Sequence, residues 1–163
     1  MIDFEKLLTL LANNGVQFVI VGGLAITIHG SSYVTFDLDI CYARDDDNLT
    51  RLVEALKPIN PKLRGAPSGI PFRFDEEAVK KGLNFTLTTA LGDMDMLGEV
   101  TGIGDFGAVA AASITVELFG HTFSVLTLDA LIISKRAAGR PKDLQVLPEL
   151  EALREIDEGE SQT

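Results

Sequence analysis

A short buried strand followed by two glycines is the feature of this sequence that most limits how the chain can fold. In residues 16–21, VQFVIV, every position except Gln17 is apolar. A strand that is apolar on both faces has to lie inside a sheet that is covered on both sides. Gly22 and Gly23 follow at once, and the next residues, LAITIH, predict a short helix that ends at Gly30. The stretch therefore predicts a buried strand that turns directly into a helix.

The rest of the chain alternates between helical and strand-like patterns, which predicts an α/β (α+β) fold. Residues 58–82 are rich in proline and glycine and predict irregular structure or short edge strands, with one helical turn at DEEAVKK. The other predicted helices lie at residues 3–14, 45–57, 105–112, 128–139 and 141–156. The other predicted strands lie at residues 36–43, 83–90, 93–100, 114–120 and 121–127.

Length and composition indicate one domain. The chain has 163 residues, of which 46% are hydrophobic and 23% are charged, as in ordinary globular proteins. We assign residues 1–155 to this domain and residues 156–163 to an acidic C-terminal tail that we expect to fray. No apolar run reaches the ~18 residues that a membrane span needs, so we expect no membrane association. The single cysteine, Cys41, favours a reducing environment and hence the cytoplasm.

The charge of the chain limits the partners that it can bind. The formal net charge is −10 at pH 7. A protein this acidic does not bind nucleic acid through a general electrostatic footprint. Contact with RNA or DNA would require a local basic patch, or metal ions that screen the carboxylates.

Two aspartates on one strand point to chemistry. Asp37 and Asp39 lie in the predicted strand FDLDICYA, and because side chains alternate along a strand, both point to the same face. Two carboxylates so close together repel each other and raise each other's pKa unless a cation lies between them. Oxygen ligands with no histidine or cysteine nearby favour Mg²⁺ or Mn²⁺ over zinc.

The glycine pair complements these carboxylates. Gly22 and Gly23 lie where a strand meets a helix, and without side chains they let a ligand approach the backbone amides. Free N–H groups at the start of a helix are suited to binding a phosphate. A phosphate-binding turn and metal-binding carboxylates on adjacent strands indicate nucleotidyl or phosphoryl transfer.

These motifs resemble a known family. The pattern VIVGGLAITIHG…TFDLDI is similar to the nucleotidyltransferase domain of the DNA polymerase beta superfamily, and more narrowly to the AbiEii-like and minimal nucleotidyltransferases of bacterial toxin–antitoxin systems. That superfamily combines a Gly-Gly or Gly-Ser turn, an Asp-x-Asp pair and a third carboxylate on a later strand. The segment LIISKRAAGRPKDL, residues 131–144, also resembles these proteins. The resemblance implies a nucleotidyltransferase fold with a mixed central sheet flanked by helices.

The resemblance also implies a two-metal mechanism. Asp37 and Asp39 would hold Mg²⁺ (or Mn²⁺) on a nucleoside triphosphate, and a third carboxylate would complete the second metal site and help to activate the acceptor hydroxyl. The pattern LGDMDML places this carboxylate at Asp95, with Asp93 on the same strand face as the alternative. The residues expected to bind the triphosphate are Gly22, Gly23, Lys135, Arg140 and Lys142.

The implied activity is transfer of a nucleoside monophosphate to an acceptor. The resemblance suggests a toxin that modifies RNA such as tRNA, or a protein, and that has a cognate antitoxin as a partner. A small-molecule acceptor, as in antibiotic-modifying nucleotidyltransferases, suits the acidic chain equally well. A second hypothesis is a non-catalytic nucleotide-binding or interaction module, because Gly23 stands where better-studied members have serine.

Two other motifs have structural interpretations. GIGDFG, residues 102–107, fits the dinucleotide-binding pattern Gly-x-Gly-x-x-Gly, but the preceding DMDML carries two carboxylates where that motif requires a buried strand. We expect a loop there, followed by a helix capped by Asp105. Asp143 is expected to stabilise the first turn of its helix rather than to bind metal.

Overall fold

The computed structural model describes residues 1–67, 69 and 71–161. Within these ranges the chain forms seven α-helices and nine β-strands. The helices are α1 (Phe4–Asn13), α2 (Gly22–Ile28), α3 (Asp46–Leu56), α4 (Glu76–Lys81), α5 (Phe106–Ala111), α6 (Leu128–Ala138) and α7 (Pro141–Ser161). The strands are β1 (Phe18–Val21), β2 (Asp37–Tyr42), β3 (Lys62–Leu63), β4 (Phe85–Thr89), β5 (Gly92–Leu97), β6 (Glu99–Val100), β7 (Gly104–Asp105), β8 (Ser113–Leu118) and β9 (His121–Leu126).

Seven of the strands form one mixed sheet. Their order is β3-β4-β5-β2-β1-β9-β8. β1 pairs in parallel with β9, and β2 pairs in parallel with β5, while the other neighbours are antiparallel. The predicted class, a mixed central sheet flanked by helices, is confirmed. Because β2 lies between β1 and β5, the strand that carries the paired aspartates is in the middle of the sheet.

The apolar run that precedes the two glycines lies in the core of the fold. All four residues of β1 are buried. The helix α2 packs on β1 and β2, and α5 packs on β1, β2 and β9. This burial explains why all four residues from Phe18 to Val21 are apolar.

The proline- and glycine-rich middle segment forms short elements, as the sequence predicts. A 3-10 turn at Lys57–Ile59 leads into β3, a two-residue edge strand that pairs antiparallel with β4. The predicted helical turn at DEEAVKK is α4. Arg64 directly follows β3, so this edge pairing determines where its side chain lies.

The largest differences from the predicted boundaries lie in the strand at residues 93–100 and at the end of the last helix. The strand predicted at residues 93–100 is divided at Gly98 into β5 and β6, because β6 leaves the main sheet and pairs with β7. The last helix continues to Ser161, beyond the predicted end at Ile156 and through the boundary assigned to the acidic tail. In the described ranges, no helix has both the length and the apolar character required to cross a membrane.

Candidate active site

Three aspartate side chains converge on one face of the sheet. The parallel register of β2 and β5 pairs Asp39 with Asp95 and Asp37 with Asp93. One carboxylate oxygen from each of Asp37, Asp39 and Asp95 lies within 4.8 Å of the other two, a spacing at which these side chains could hold a metal ion. Asp93 is outside this group, so the geometry favours Asp95 as the third carboxylate.

Asp39 lies where an isolated negative charge is unfavourable. Burial raises the pKa of Asp39, the carboxylates of Asp95 and Asp37 raise it further, and Lys135 opposes them only in part, so that this pKa is about 7. The Oδ1 atom of Asp39 is buried and has no hydrogen-bond partner in the described part of the chain. A buried, unpartnered oxygen beside two further carboxylates fits a hard divalent cation such as Mg²⁺ or Mn²⁺.

The raised pKa of Asp39 predicts that the metal-free protein loses stability as the pH rises. In the unfolded chain this carboxyl loses its proton near 3.8, whereas in the folded protein it keeps the proton up to about pH 7. The folded state binds the extra proton between these values, so Asp39 lowers the free energy of unfolding as the pH increases through this window. Urea denaturation in EDTA at pH 5 and pH 8 measures this decrease in the free energy of unfolding. The decrease should be smaller in Asp39→Asn than in the wild type, and equal decreases would contradict the prediction.

Gly22 makes room for the strand that carries the aspartates, and Gly23 makes room for the loop before it. Gly22 has a φ of +65°, and a Cβ atom there would lie 2.0 Å from Oδ2 and 2.8 Å from Cβ of Asp39. A Cβ atom on Gly23 would lie 2.6 Å from Oγ1 and 2.8 Å from Cβ of Thr35. A side chain at position 22 is thus excluded by backbone conformation and by Asp39, and one at position 23 by Thr35. The structure brings this turn against the carboxylates.

A buried carboxylate holds two of the predicted phosphate-binding cations. Asp143 is fully buried near the start of α7. Its oxygens accept hydrogen bonds from Lys135 Nζ at 3.1 Å and Arg140 Nε at 2.7 Å. Burial opposes ionisation of Asp143, but the hydrogen bonds from Arg140 and Lys135 outweigh it and lower the pKa of Asp143 to about 2. Asp143 also accepts a bond from the backbone N–H of Arg140, in the first turn where the sequence predicts its role.

The substitution Asp143→Asn is expected to destabilise the fold. It removes the counter-charge of Lys135, whose side chain is only 22% exposed. Breaking one side of a buried ion pair costs about 3 kcal/mol or more. Urea unfolding at pH 7 measures this loss. The matched control is Asp129→Asn, because the carboxylate of Asp129 is 72% exposed in its pair with Arg154, and its loss should stay below about 1 kcal/mol. Similar losses in both variants would contradict the prediction.

Two cavities meet beside the carboxylates. Four residues border both cavities: Asp39, Leu97, Lys135 and Arg140. The first cavity, of about 480 Å³, extends from Gly22 towards Glu99. The second, of about 370 Å³, contains the other two aspartates and the exposed Lys142, and its rim includes the exposed side chains of Tyr33 and Phe36. Both cavities therefore reach Asp39.

Arg64, which no sequence motif identifies, lies among the carboxylates. Its guanidinium nitrogens lie 3.0 Å from a carboxylate oxygen of Asp95, 3.4 Å from one of Asp93 and 3.9 Å from one of Asp37. No local pattern in the proline- and glycine-rich segment points to this position, because it depends on the pairing of β3 with the distant β4.

Comparison with known proteins identifies the fold. No family model and no curated protein matches the chain. Among solved structures, it is similar to TM1012, a candidate nucleotidyltransferase from Thermotoga maritima, with a TM-score of 0.54 and 17% identity over 98% of this chain and 96% of that one. It is also similar to the lincosamide antibiotic adenylyltransferase LnuA in its lincomycin-bound form, with a TM-score of 0.60 and 13% identity over 93% of this chain and 98% of that one. The chain therefore has a nucleotidyltransferase fold.

Proposed function

We propose that this chain is a nucleotidyltransferase that transfers a nucleoside monophosphate from a nucleoside triphosphate to an acceptor. The observation that carries the proposal is the convergence of Asp37, Asp39 and Asp95 where two cavities meet, next to Lys135 and Arg140. The fold, which is similar to that of an adenylyltransferase, supports it. Such a reaction belongs in the cytoplasm, where nucleoside triphosphates are available.

The carboxylates are the proposed metal ligands. The buried, unpartnered Oδ1 of Asp39 supports a divalent cation at this position. When bound, Mg²⁺ or Mn²⁺ supplies positive charge to the triphosphate and to the pyrophosphate that leaves. Asp37, Asp39 and Asp95 are the residues that would hold it.

Other groups of the chain perform the remaining tasks in this proposal. Asp95 takes the proton of the acceptor hydroxyl, because its carboxylate borders the second cavity beside those of Asp37 and Asp39. The acceptor oxygen then bonds to the α-phosphorus, and the bond from this phosphorus to pyrophosphate breaks. The residues proposed to bind the triphosphate are Gly22, Gly23, Lys135, Arg140 and Lys142, and all of them line one or both cavities.

The proposed acceptor is either a macromolecule or a small molecule, and each alternative has its own support. The resemblance to toxin–antitoxin nucleotidyltransferases favours RNA such as tRNA, or a protein, with an antitoxin as the partner that restrains the activity. The net charge of −10 and a cavity of about 480 Å³ favour a small molecule, as in the lincomycin-bound LnuA. Both acceptors would use the same three aspartates.

A transfer assay tests the proposal. Purified protein is incubated with each α-³²P-labelled nucleoside triphosphate, Mg²⁺, and in turn total bacterial RNA, lysate protein or lincomycin. The Asp37→Ala/Asp39→Ala variant is the control. Label that reaches one acceptor only with the wild type supports the enzyme and identifies its acceptor class. Label that the variant transfers equally well would contradict the assigned site.

The toxin role has a separate test. Induced expression of the wild type in bacteria should slow growth, and expression of the Asp37→Ala/Asp39→Ala variant should not. Equal growth with both proteins would contradict a toxin while leaving the transfer reaction open. If nucleotide binding requires Mg²⁺ but no acceptor is ever labelled, the non-catalytic nucleotide-binding module replaces the enzyme as the better hypothesis.

A further inference from the structure

The side chain of Arg64 is fixed by the backbone of the sheet before any ligand binds. Its Nη2 group donates hydrogen bonds to the carbonyl oxygens of Leu87, at 2.9 Å, and Met94, at 3.3 Å. Its backbone N–H donates to the carbonyl of Thr86 at 2.9 Å. These bonds reach β4 and β5, so the guanidinium is attached to the same two strands that position Asp95. An arginine held in this way loses little further freedom when the site is occupied.

The anchored guanidinium acts on the carboxylates through charge. Both hydrogens of Nη2 are directed at carbonyl oxygens, and the contact of this atom with Oδ1 of Asp95 at 3.0 Å is not a hydrogen bond. The Nε atom, 3.4 Å from Asp93, is likewise buried without a hydrogen-bond partner in the described part of the chain. Arg64 thus neutralises part of the cluster while the carboxylate oxygens keep their lone pairs for another ligand.

We infer that Arg64 takes the place of one of the two cations that a two-metal site would hold, so that this chain binds a single divalent ion. The inference rests on the metal site of the proposed function and deepens it. The oxygens left for an ion belong to Asp37, Asp39 and Asp95, which lie within 4.8 Å of one another. A second divalent ion would have to approach the fixed positive charge that already contacts Asp37 and Asp95, and this repulsion is strong in a partly buried site.

A single-ion site changes the task of Asp95. In the two-metal arrangement that the family resemblance implies, Asp95 would help to activate the acceptor hydroxyl as a ligand of the second ion. With Arg64 in the place of that ion, Asp95 is left to take the proton without it, and Arg64 is a positioning residue that keeps Asp95 in place and partly neutralised. The segment that carries Arg64 thereby belongs to the site, although it lies in the least regular part of the sequence.

Counting bound ions tests the inference. Mn²⁺ is titrated into the protein and the free ion is followed by electron paramagnetic resonance, first without nucleotide and then with one equivalent of a non-hydrolysable nucleoside triphosphate analogue. We expect one ion per chain in the wild type. Arg64→Gln should bind two ions and should bind the first roughly tenfold more tightly, because a neighbouring positive charge is gone. Arg64→Lys keeps the charge and should still bind one.

Two controls separate the possible failures. Arg73→Gln removes an equal charge from the same segment, at a side chain that is 91% exposed, and should bind one ion like the wild type. Asp39→Asn should bind none. Two ions in the wild type would overturn the single-ion inference and leave the proposed function standing, and this count decides the question even if Arg64→Gln does not fold. No ion in the wild type without the analogue, and with it no tighter binding of Mn²⁺ than the analogue shows by itself, would overturn both.

Discussion

The substitution Asp39→Asn is expected to abolish nucleotidyl transfer and at the same time to stabilise the metal-free protein. Asparagine has nearly the shape of aspartate but lacks the negative charge that would bind the cation. Losing several kcal/mol of transition-state stabilisation corresponds to a decrease in rate of roughly 10³-fold or more. Stability in EDTA at pH 8 should rise, because the carboxylate of Asp39 is buried beside those of Asp95 and Asp37.

Two measurements on the same preparation check this expectation. The transfer assay gives the rate, and urea denaturation in EDTA at pH 8 gives the free energy of unfolding. The matched control is Asp93→Asn, which removes a carboxylate from the same sheet face but outside the group of three. It should retain transfer within about tenfold of the wild type. A variant at Asp39 that loses activity only together with stability would indicate a structural role and contradict the assignment.

The substitution Gly22→Ala should be the most damaging change to the turn beside the site. The φ of +65° at Gly22 is strained for alanine, and the new Cβ atom would overlap with Asp39. Strain contributes about 1 kcal/mol, and overpacking adds about 1–3 kcal/mol. We expect a total loss of about 2–4 kcal/mol of stability. The rate of transfer should also fall, and by more than the unfolded fraction alone would explain, because the new Cβ atom displaces Asp39 from its position beside the other two carboxylates.

Gly15 offers a matched control for this prediction. It has nearly the same backbone conformation, with a φ of +68°, but a Cβ atom there would find its nearest neighbour, Arg51 Cδ, at 3.7 Å. Gly15→Ala therefore measures backbone strain alone and should cost about 1 kcal/mol without loss of transfer. In the double variant Gly22→Ala/Asp39→Ala, part of the lost stability should return, because the overlapping carboxylate is gone. Equal effects of the two single substitutions would contradict steric overlap as the cause.

The paired aspartates and the glycine turn could be predicted from the sequence because both follow from local rules. Alternation along a strand places Asp37 and Asp39 on one face, and a buried run that ends in glycines predicts the turn. Asp95 is found through a motif on another strand, and the parallel register explains why it, rather than Asp93, lies opposite Asp39. Local patterns were also sufficient for the helix cap at Asp105, whose side chain accepts the N–H of Ala108.

The remaining features depend on contacts between distant segments. Arg64 reaches the site only because β3 pairs with β4, and β3 is too short to show a period. The sequence indicates a helix start around Asp143, but its complete burial and its bonds to Lys135 result from the packing of α7 on α6. The packing of Thr35 on Gly23 likewise depends on how the loop before β2 folds back.

The parallel pairing of β2 with β5 also determines when the three aspartates can come together during synthesis. Asp37 and Asp39 leave the ribosome early, but their partner Asp95 lies on β5, and Lys135 and Asp143 follow only on α6 and α7. Non-local pairings of this kind form late, after the intervening chain has been made. A chain cut short before β5 therefore carries Asp37 and Asp39 without Asp95, and one cut short before α7 still lacks Lys142 and Asp143. The proposed site can therefore be completed only when almost the whole chain has been translated.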